Sequence, residues 1–159
     1  MISRMASEPN SAELRAWSAF LNAQATLLRR LEAELVESED MTLAEFDVLI
    51  QLGMAPDRRL RMTELSDRVR LSHSGVTRLV DRLTQAGLVK RARCDSDRRG
   101  TFATLTAAGR ARLRRAEPIH LRGIREHFGK RLTSAQLSAV AEALEPLARD
   151  ARPTQPSAR

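Results

Sequence analysis

A long apolar seam near the amino terminus constrains the fold of this chain more than any other feature. Asn10-x-x-Glu13 has the pattern of a capping box, in which each side chain bonds the other residue's orphan backbone N–H at the start of a helix. Apolar residues then recur at heptad spacing, namely Leu14, Trp17, Leu21, Leu28, Leu31 and Leu35. This spacing predicts one long helix whose apolar face another helix must cover.

The composition fits a single, mainly helical domain. The chain has 159 residues, of which 42% are hydrophobic and only 3% aromatic, so the core must consist of Leu, Val, Ala and Met. Seven glycines and six prolines are few for a strand-rich fold. We therefore expect a mainly α fold with a small β-hairpin (α+β).

Further helix starts follow along the chain. Capping patterns predict them at Thr42-x-x-Glu45, Thr63, Ser72, Thr106 and Thr133-x-x-Gln136. Pro118 lies inside the helix that begins after Thr106, so a kink or break is expected there.

The middle of the chain predicts a winged helix-turn-helix. Two short helices meet at a tight break before Ser72, and the second ends at Gly87, where a left-handed residue is expected. Residues 88–93 and 101–105 then read as two strands around a polar, basic turn. A short stretch at Leu60 could form one further small strand.

The charge favours a polyanionic partner. The formal net charge is +7, and all 27 basic residues except Lys90 and Lys130 are arginine, whose planar fork suits phosphates and guanine edges. An arginine-rich composition also arises in GC-rich genomes, so the placement of the arginines has to decide.

That placement indicates double-stranded DNA. The second short helix carries small polar residues at its start and arginines on its outer face, and the hairpin carries arginines at its flank and tip. The candidate DNA-binding residues are Ser72, His73, Ser74, Gly75, Thr77, Arg78, Arg82, Arg91, Arg98 and Arg99. An ordinary solvated helix face and an ordinary charged hairpin tip are the simpler alternatives for each piece alone. Gly75 inside a helix suggests close approach to a duplex.

Together these residues resemble a known family. The run Val76 to Leu83, then Gly87-Leu88-Val89, Asp97-Arg98-Arg99-Gly100 and Leu105-Thr106 are similar to the MarR family of transcriptional regulators over roughly residues 12–148. The resemblance implies a homodimer on a pseudo-palindromic operator, often a repressor released by a small anionic or phenolic ligand. Many members carry a proline in the wing turn, where this chain has Asp95.

The resemblance also implies a division of the chain. Residues 11–40 and 106–149 form the helical dimerisation region, residues 41–105 the DNA-binding lobe, and residues 1–10 and 150–159 disordered tails. The terminal helices would interleave across a two-fold axis. The residues predicted to dimerise are Leu14, Leu21, Leu28, Leu137, Val140 and Leu144.

Two ways of controlling the regulator remain open. Arg15, Trp17 and Phe20 could hold an anionic or aromatic ligand, although interface packing is the simpler reading of the two aromatic residues. Cys94, the single cysteine, lies among arginines that would favour its thiolate, yet a small filler residue is the simpler interpretation.

Other classes of function have little support. We find no phosphate-cradling glycine loop, nucleophile elbow or zinc-protease motif, so we expect no enzyme and no cofactor. His120 and His127 are seven apart without further ligands, which is a weak pattern for metal. A protein-docking winged helix is the remaining alternative. The single cysteine and the lack of a long apolar run predict a cytoplasmic protein without a membrane anchor, and the resemblance implies a bacterial one.

Overall fold

The computed structural model describes residues 8–69, 71–94 and 97–150, with residues 93–94, 97–100 and 149–150 given by their backbone alone. In this part of the chain the helices and strands follow one another as α1 (Ser11–Glu39), α2 (Leu43–Met54), β1 (Arg59–Arg61), α3 (Met62–Arg68), α4 (His73–Gln85), β2 (Val89–Cys94), β3 (Asp97–Leu105), α5 (Ala107–His127) and α6 (Ser134–Asp150). The predicted class is confirmed: the fold is mainly α with a small antiparallel sheet.

Helix α1 is the long helix that the heptad spacing predicts. The Asn10 side chain accepts from the backbone N–H groups of Ala12 and Glu13, and the Glu13 carboxylate accepts from the backbone of Asn10 at 2.6 Å. The helix ends at Asp40, a non-glycine residue in the left-handed region with φ 46°.

The apolar seam of α1 has two different environments. Its carboxyl-terminal part is covered, since Leu31 and Leu35 are buried. Its amino-terminal part is not: the seam residues there are between 39% and 59% exposed, namely Leu14, Trp17, Leu21 and Leu28. These exposed apolar side chains lie on one face of the helix.

Helix α5 is fixed against the covered part of α1. A Cβ on Gly123 would lie 2.5 Å from Glu34 Oε2 and 2.7 Å from Leu31 Cδ2, so a larger residue here would displace the ends of these two side chains. The Glu34 carboxylate also contacts His127 Nε2 at 2.6 Å. Nearer the end of α1, Glu39 pairs with two arginines of α5, Arg112 and Arg115.

Of the kink or break expected at Pro118, the break is absent. Helix α5 continues from Ala107 to His127 through the proline. Pro118 lies on the exposed face, while Ala116 is buried and Ile119 packs partly against the core. Packing of the opposite face therefore holds the helix together despite the one backbone hydrogen bond that proline removes.

The sheet has three strands in the order β1-β3-β2, so the hairpin gains a third strand. Strand β1, anticipated at Leu60, pairs with β3 through Leu60 and Ala103. The helix that follows begins at Met62, not after a cap at Thr63 as predicted; the Arg61 backbone N–H instead donates to Glu64 Oε2 at 3.0 Å. Strand β1 runs directly into α3, which leaves no room for a Thr63 cap.

One hydrophobic core unites α2, α3, α4, the sheet and the inner faces of α1 and α5. Its fully buried side chains include Leu35, Leu49, Leu52, Leu65, Val76 and Val80. In the described residues, by contrast, α6 has no extensive contact with another element, and its Leu147 is 66% exposed. No described helix is long and apolar enough to cross a membrane.

Candidate nucleic-acid interface

Helix α4 presents a polar face from a firmly capped start. The Ser72 hydroxyl accepts from the backbone N–H of Gly75 at 3.1 Å, as predicted for an N-cap. At the other end Gly87 has φ 72°, and the Leu88 and Gly87 N–H groups bond the carbonyls of Leu83 and Thr84, which is a Schellman motif.

The inner and outer faces of α4 are clearly divided. Its inner face is buried through Val76, Leu79, Val80 and Leu83. The predicted contact residues Ser72, His73, Ser74, Arg78 and Arg82 are exposed, and Gly75 and Thr77 are half-buried. The structure thus brings these seven residues onto one helix and its cap.

Gly75 has a cause within the protein itself. A Cβ at this position would lie 3.1 Å from Ser72 Oγ, the atom that caps the helix, and 3.7 Å from Leu71 Cβ. The glycine therefore leaves room for the capping hydroxyl, whereas the sequence had suggested room for a duplex. The capping hydroxyl and a closely approaching duplex would both favour a residue without a side chain at this position.

His73 joins α4 to α3. Its Nδ1 lies 3.1 Å from Ser66 Oγ, and that hydroxyl donates to the Met62 carbonyl at 2.9 Å. This contact ties the start of α4 to α3 through the Ser66 hydroxyl. Sequence reasoning missed Ser66, although a serine on the apolar face of a short helix could have signalled it.

Arg78 lies along the outer face of α4. Its Nε donates to the Ser74 carbonyl at 3.4 Å, a long bond that leaves the side chain exposed. Arg82, one turn further, lines a small cavity of about 250 Å³ between the end of α4, the α1–α2 junction and Arg112.

Arg91 connects the wing to α4. Its guanidinium lies 3.1 Å from the carboxylate of Asp81 and also donates to Met62 Sδ at 3.9 Å. The sequence suggested a phosphate contact for Arg91, which stays a prediction; in the structure its side chain joins the sheet to α4.

The backbone of the wing is an antiparallel pair. Strands β2 and β3 pair from Val89–Leu105 to Arg93–Thr101, and the register shifts beyond Arg93. Arg98 and Arg99 lie in β3, but their side chains lie outside the described part of the chain, as do that of Cys94 and the whole of Asp95.

A second cavity lies between α2 and α5. This α2–α5 cleft has a volume of about 430 Å³, with an apolar floor and several arginines at its rim. Its lining residues are Ile50, Gly53, Met54, Arg58, Leu105, Arg110, Leu113, Arg114 and Glu117.

The residues predicted to bind a ligand lie elsewhere. Arg15, Trp17 and Phe20 line neither cavity. The Trp17 and Phe20 rings are 6.1 Å apart on the exposed amino-terminal half of α1, and both side chains are at least 40% exposed. Their position fits coverage by another chain better than a formed pocket.

Next to the α2–α5 cleft, His120 occupies an apolar position on α5. Its ring lies 4.5 Å from the Phe46 ring, and its Nδ1 is buried with no hydrogen-bond partner within the described structure. Burial lowers the pKa of His120 below its ordinary value, and Asp47 partly opposes this shift.

Comparison with known proteins agrees with this geometry. The model of the MarR family matches residues 39–100. The structure of Sco3205 from Streptomyces coelicolor, a MarR family transcriptional regulator solved in complex with DNA, is 32% identical, with a TM-score of 0.88 over 96% of each chain. AbsC, a MarR family regulator of the same organism, is 31% identical, with a TM-score of 0.84 over 91% of this chain and 97% of AbsC.

Curated relatives match a shorter region. The HTH-type transcriptional repressor YetL of Bacillus subtilis is 37% identical over 76 residues, which is 48% of this chain and 46% of YetL. This chain therefore matches about half the length of that relative.

Proposed function

Since this chain belongs to the MarR family of transcriptional regulators, we propose that it binds double-stranded DNA as a homodimer and represses transcription from a pseudo-palindromic operator. The DNA complex of the similar regulator Sco3205 supports a duplex as the partner. The predicted contact residues on α4 support it independently.

One observation carries the proposal: a capped, exposed helix face stands beside a wing whose arginine, Arg91, forms an ion pair with that helix. The start of α4 exposes Ser72, Ser74 and Arg78, while the Arg91–Asp81 pair joins the wing to the same helix. A helix that enters the major groove and a wing that reaches the next groove must keep a constant position relative to each other.

The contacts divide by chemistry. Backbone N–H groups and hydroxyls at the start of α4 suit phosphates, because the positive end of the helix dipole lies there. Arg78, further along the outer face, is long enough to reach guanine O6 and N7. Arg98 and Arg99 at the wing remain the candidates for the minor groove.

The uncovered apolar residues of the terminal helices support the homodimer. The exposed seam of α1 and the exposed Leu121 and Leu147 of α5 and α6 together form a discontinuous apolar surface. Helices from a second copy would cover it, and two copies would present two α4 helices to one duplex. Leu137, Val140 and Leu144 are half-buried on α6 and would contribute to the same surface.

The α2–α5 cleft is the candidate site for an effector. Its apolar floor with Arg58, Arg110 and Arg114 suits a small aromatic or aliphatic anion. The cleft joins α5 to α2, which packs on α3 and α4, so an occupant could shift α4 relative to the dimerisation helices. Release of DNA on anion binding is therefore the proposed control.

Salt dependence of binding tests the DNA proposal against a protein-docking role. Binding to fluorescent duplex pools should weaken steeply as salt rises from about 50 to 200 mM, because phosphate contacts release counterions. A heat-unfolded sample has the same charged residues without the fold, so it shows how much binding comes from charge alone. A protein that binds no duplex at low salt would contradict the proposal and favour a protein-docking winged helix.

A further inference from the structure

The outer face of the three-stranded sheet carries a second basic surface, separate from α4 and the wing tip. In an antiparallel pair, directly opposite residues share a face, and neighbours along a strand alternate. Arg61 lies opposite Phe102, and Phe102 lies opposite Ala92; Arg59 lies opposite Thr104, and Thr104 opposite Lys90. We call this set the outer sheet face: Arg59, Arg61, Lys90, Ala92, Phe102 and Thr104.

This face is turned away from α4. Arg91 and Ala103 lie opposite each other on the other side of the sheet, where Ala103 is fully buried and Arg91 pairs with Asp81 of α4. Lys90 and Phe102 must therefore point to the opposite side. The inner face packs against the core and α4, and the outer face points away from α4.

Two arginines of the outer sheet face are stacked on one aromatic ring. The guanidinium carbon of Arg59 lies 4.9 Å from the centre of the Phe102 ring, and that of Arg61 lies 5.4 Å from it. Stacking holds a guanidinium plane in place while its N–H edge stays available for hydrogen bonds. An arginine held in this way binds a phosphate at a lower entropic cost than a free one.

The charge of this face has one sign. Of its three cations, Arg59 and Lys90 form no ion pair within the described residues. Both side chains are exposed. Two such cations on one face attract an extended anion, because the field of each adds to that of the other.

We propose that the outer sheet face binds the phosphate backbone of the DNA that flanks the operator. A duplex gripped by α4 and the wing tip continues past the far side of the wing, because DNA is stiff over about 150 base pairs. The contact is with phosphates and is independent of the flanking sequence. This inference rests on the proposed function and extends the bound surface beyond it.

The test compares a short and a long duplex. A duplex selected from a random pool is trimmed to its protected core, and a second version is extended by one helical turn, about 10 base pairs, at each end. We expect the extension to raise the affinity of the wild-type protein by about tenfold at low salt. The double variant Arg59→Gln/Lys90→Gln should bind both duplexes with the affinity that the wild type has for the core.

Two controls separate the causes. The variant Arg122→Gln/Arg125→Gln removes two exposed charges of α5 and should keep the gain, and equal melting temperatures verify folding. Extensions with uncharged methylphosphonate linkages should give no gain. The inference is overturned if the extension does not raise the affinity of the wild type, or if the double variant keeps that rise. In either case the wild type still binds the trimmed core duplex. A wild type that binds no core duplex overturns the proposed function as well.

Discussion

The guanidinium of Arg91 in β2 lies 3.1 Å from the carboxylate of Asp81 in α4. The side chains are 31% and 47% exposed, so the pair contributes at most about 1 kcal/mol to folding. The pair joins the wing to the helix, and we expect it to hold these two elements at a constant distance. The phosphate contact that the sequence suggests for Arg91 stays a prediction.

Variants of this pair test that role. If Arg91 acts through Asp81, Arg91→Ala and Asp81→Ala should each weaken binding of a selected duplex by about 1 kcal/mol, and the double variant should lose no more than either one. The measurement is a double-mutant cycle in duplex affinity. The opposite outcome has two parts: Arg91→Ala lowers the slope of log affinity against log salt concentration by about one, and the losses of the two single variants add in the double variant. Together they would show a direct contact between Arg91 and a phosphate.

The cap of α4 gives a prediction on stability. Ser72→Ala removes the acceptor of the Gly75 N–H and should lower the free energy of unfolding by about 1 kcal/mol. Ser74→Ala is the matched control, since this hydroxyl is equally exposed and lies 3.2 Å from Ser72 Oγ but caps no backbone group. Urea denaturation of both variants checks it, and equal losses would contradict the capping role.

The exposed seam of α1 predicts the oligomeric state. Leu28→Asp places a charge twice in each dimer, and at about 2 kcal/mol per lost leucine it should weaken dimerisation about a thousandfold. Sedimentation should then give the mass of one chain. Ala23→Asp, on the opposite face of the helix from Leu21, should leave the dimer intact. A Leu28→Asp protein that still sediments as a dimer would refute the assignment of the seam.

His120 predicts the pH dependence of stability. Because burial lowers its pKa in the folded chain, the unfolded chain takes up a proton first as the pH falls through the ordinary value of 6.5. Stability from the neutral ring is thus complete above that value and decreases towards the lower, folded pKa. His120→Phe should reduce the fall in melting temperature between about pH 7.5 and 5.5. An unchanged pH profile would contradict this.

Much of the fold could be predicted from local chemistry. Capping patterns located the starts of α1, α2, α4 and α5, because each depends on residues three apart in sequence. Pro118 misled the prediction, since tertiary packing maintains α5 through it. The Arg91–Asp81 and His73–Ser66 contacts join different elements, and no local pattern encodes them. The α2–α5 cleft was missed for the same reason.

Selection of bound duplexes from a random pool, followed by sequencing, tests the central claim most directly. We expect an inverted repeat whose half-sites are centred about 10 base pairs apart or a multiple of that distance, because two α4 helices would bind one face of the duplex. Arg78→Ala should weaken the preference for one base in each half-site and lower the binding free energy by about 1–3 kcal/mol. No enrichment, or a motif without two-fold symmetry, would contradict the account.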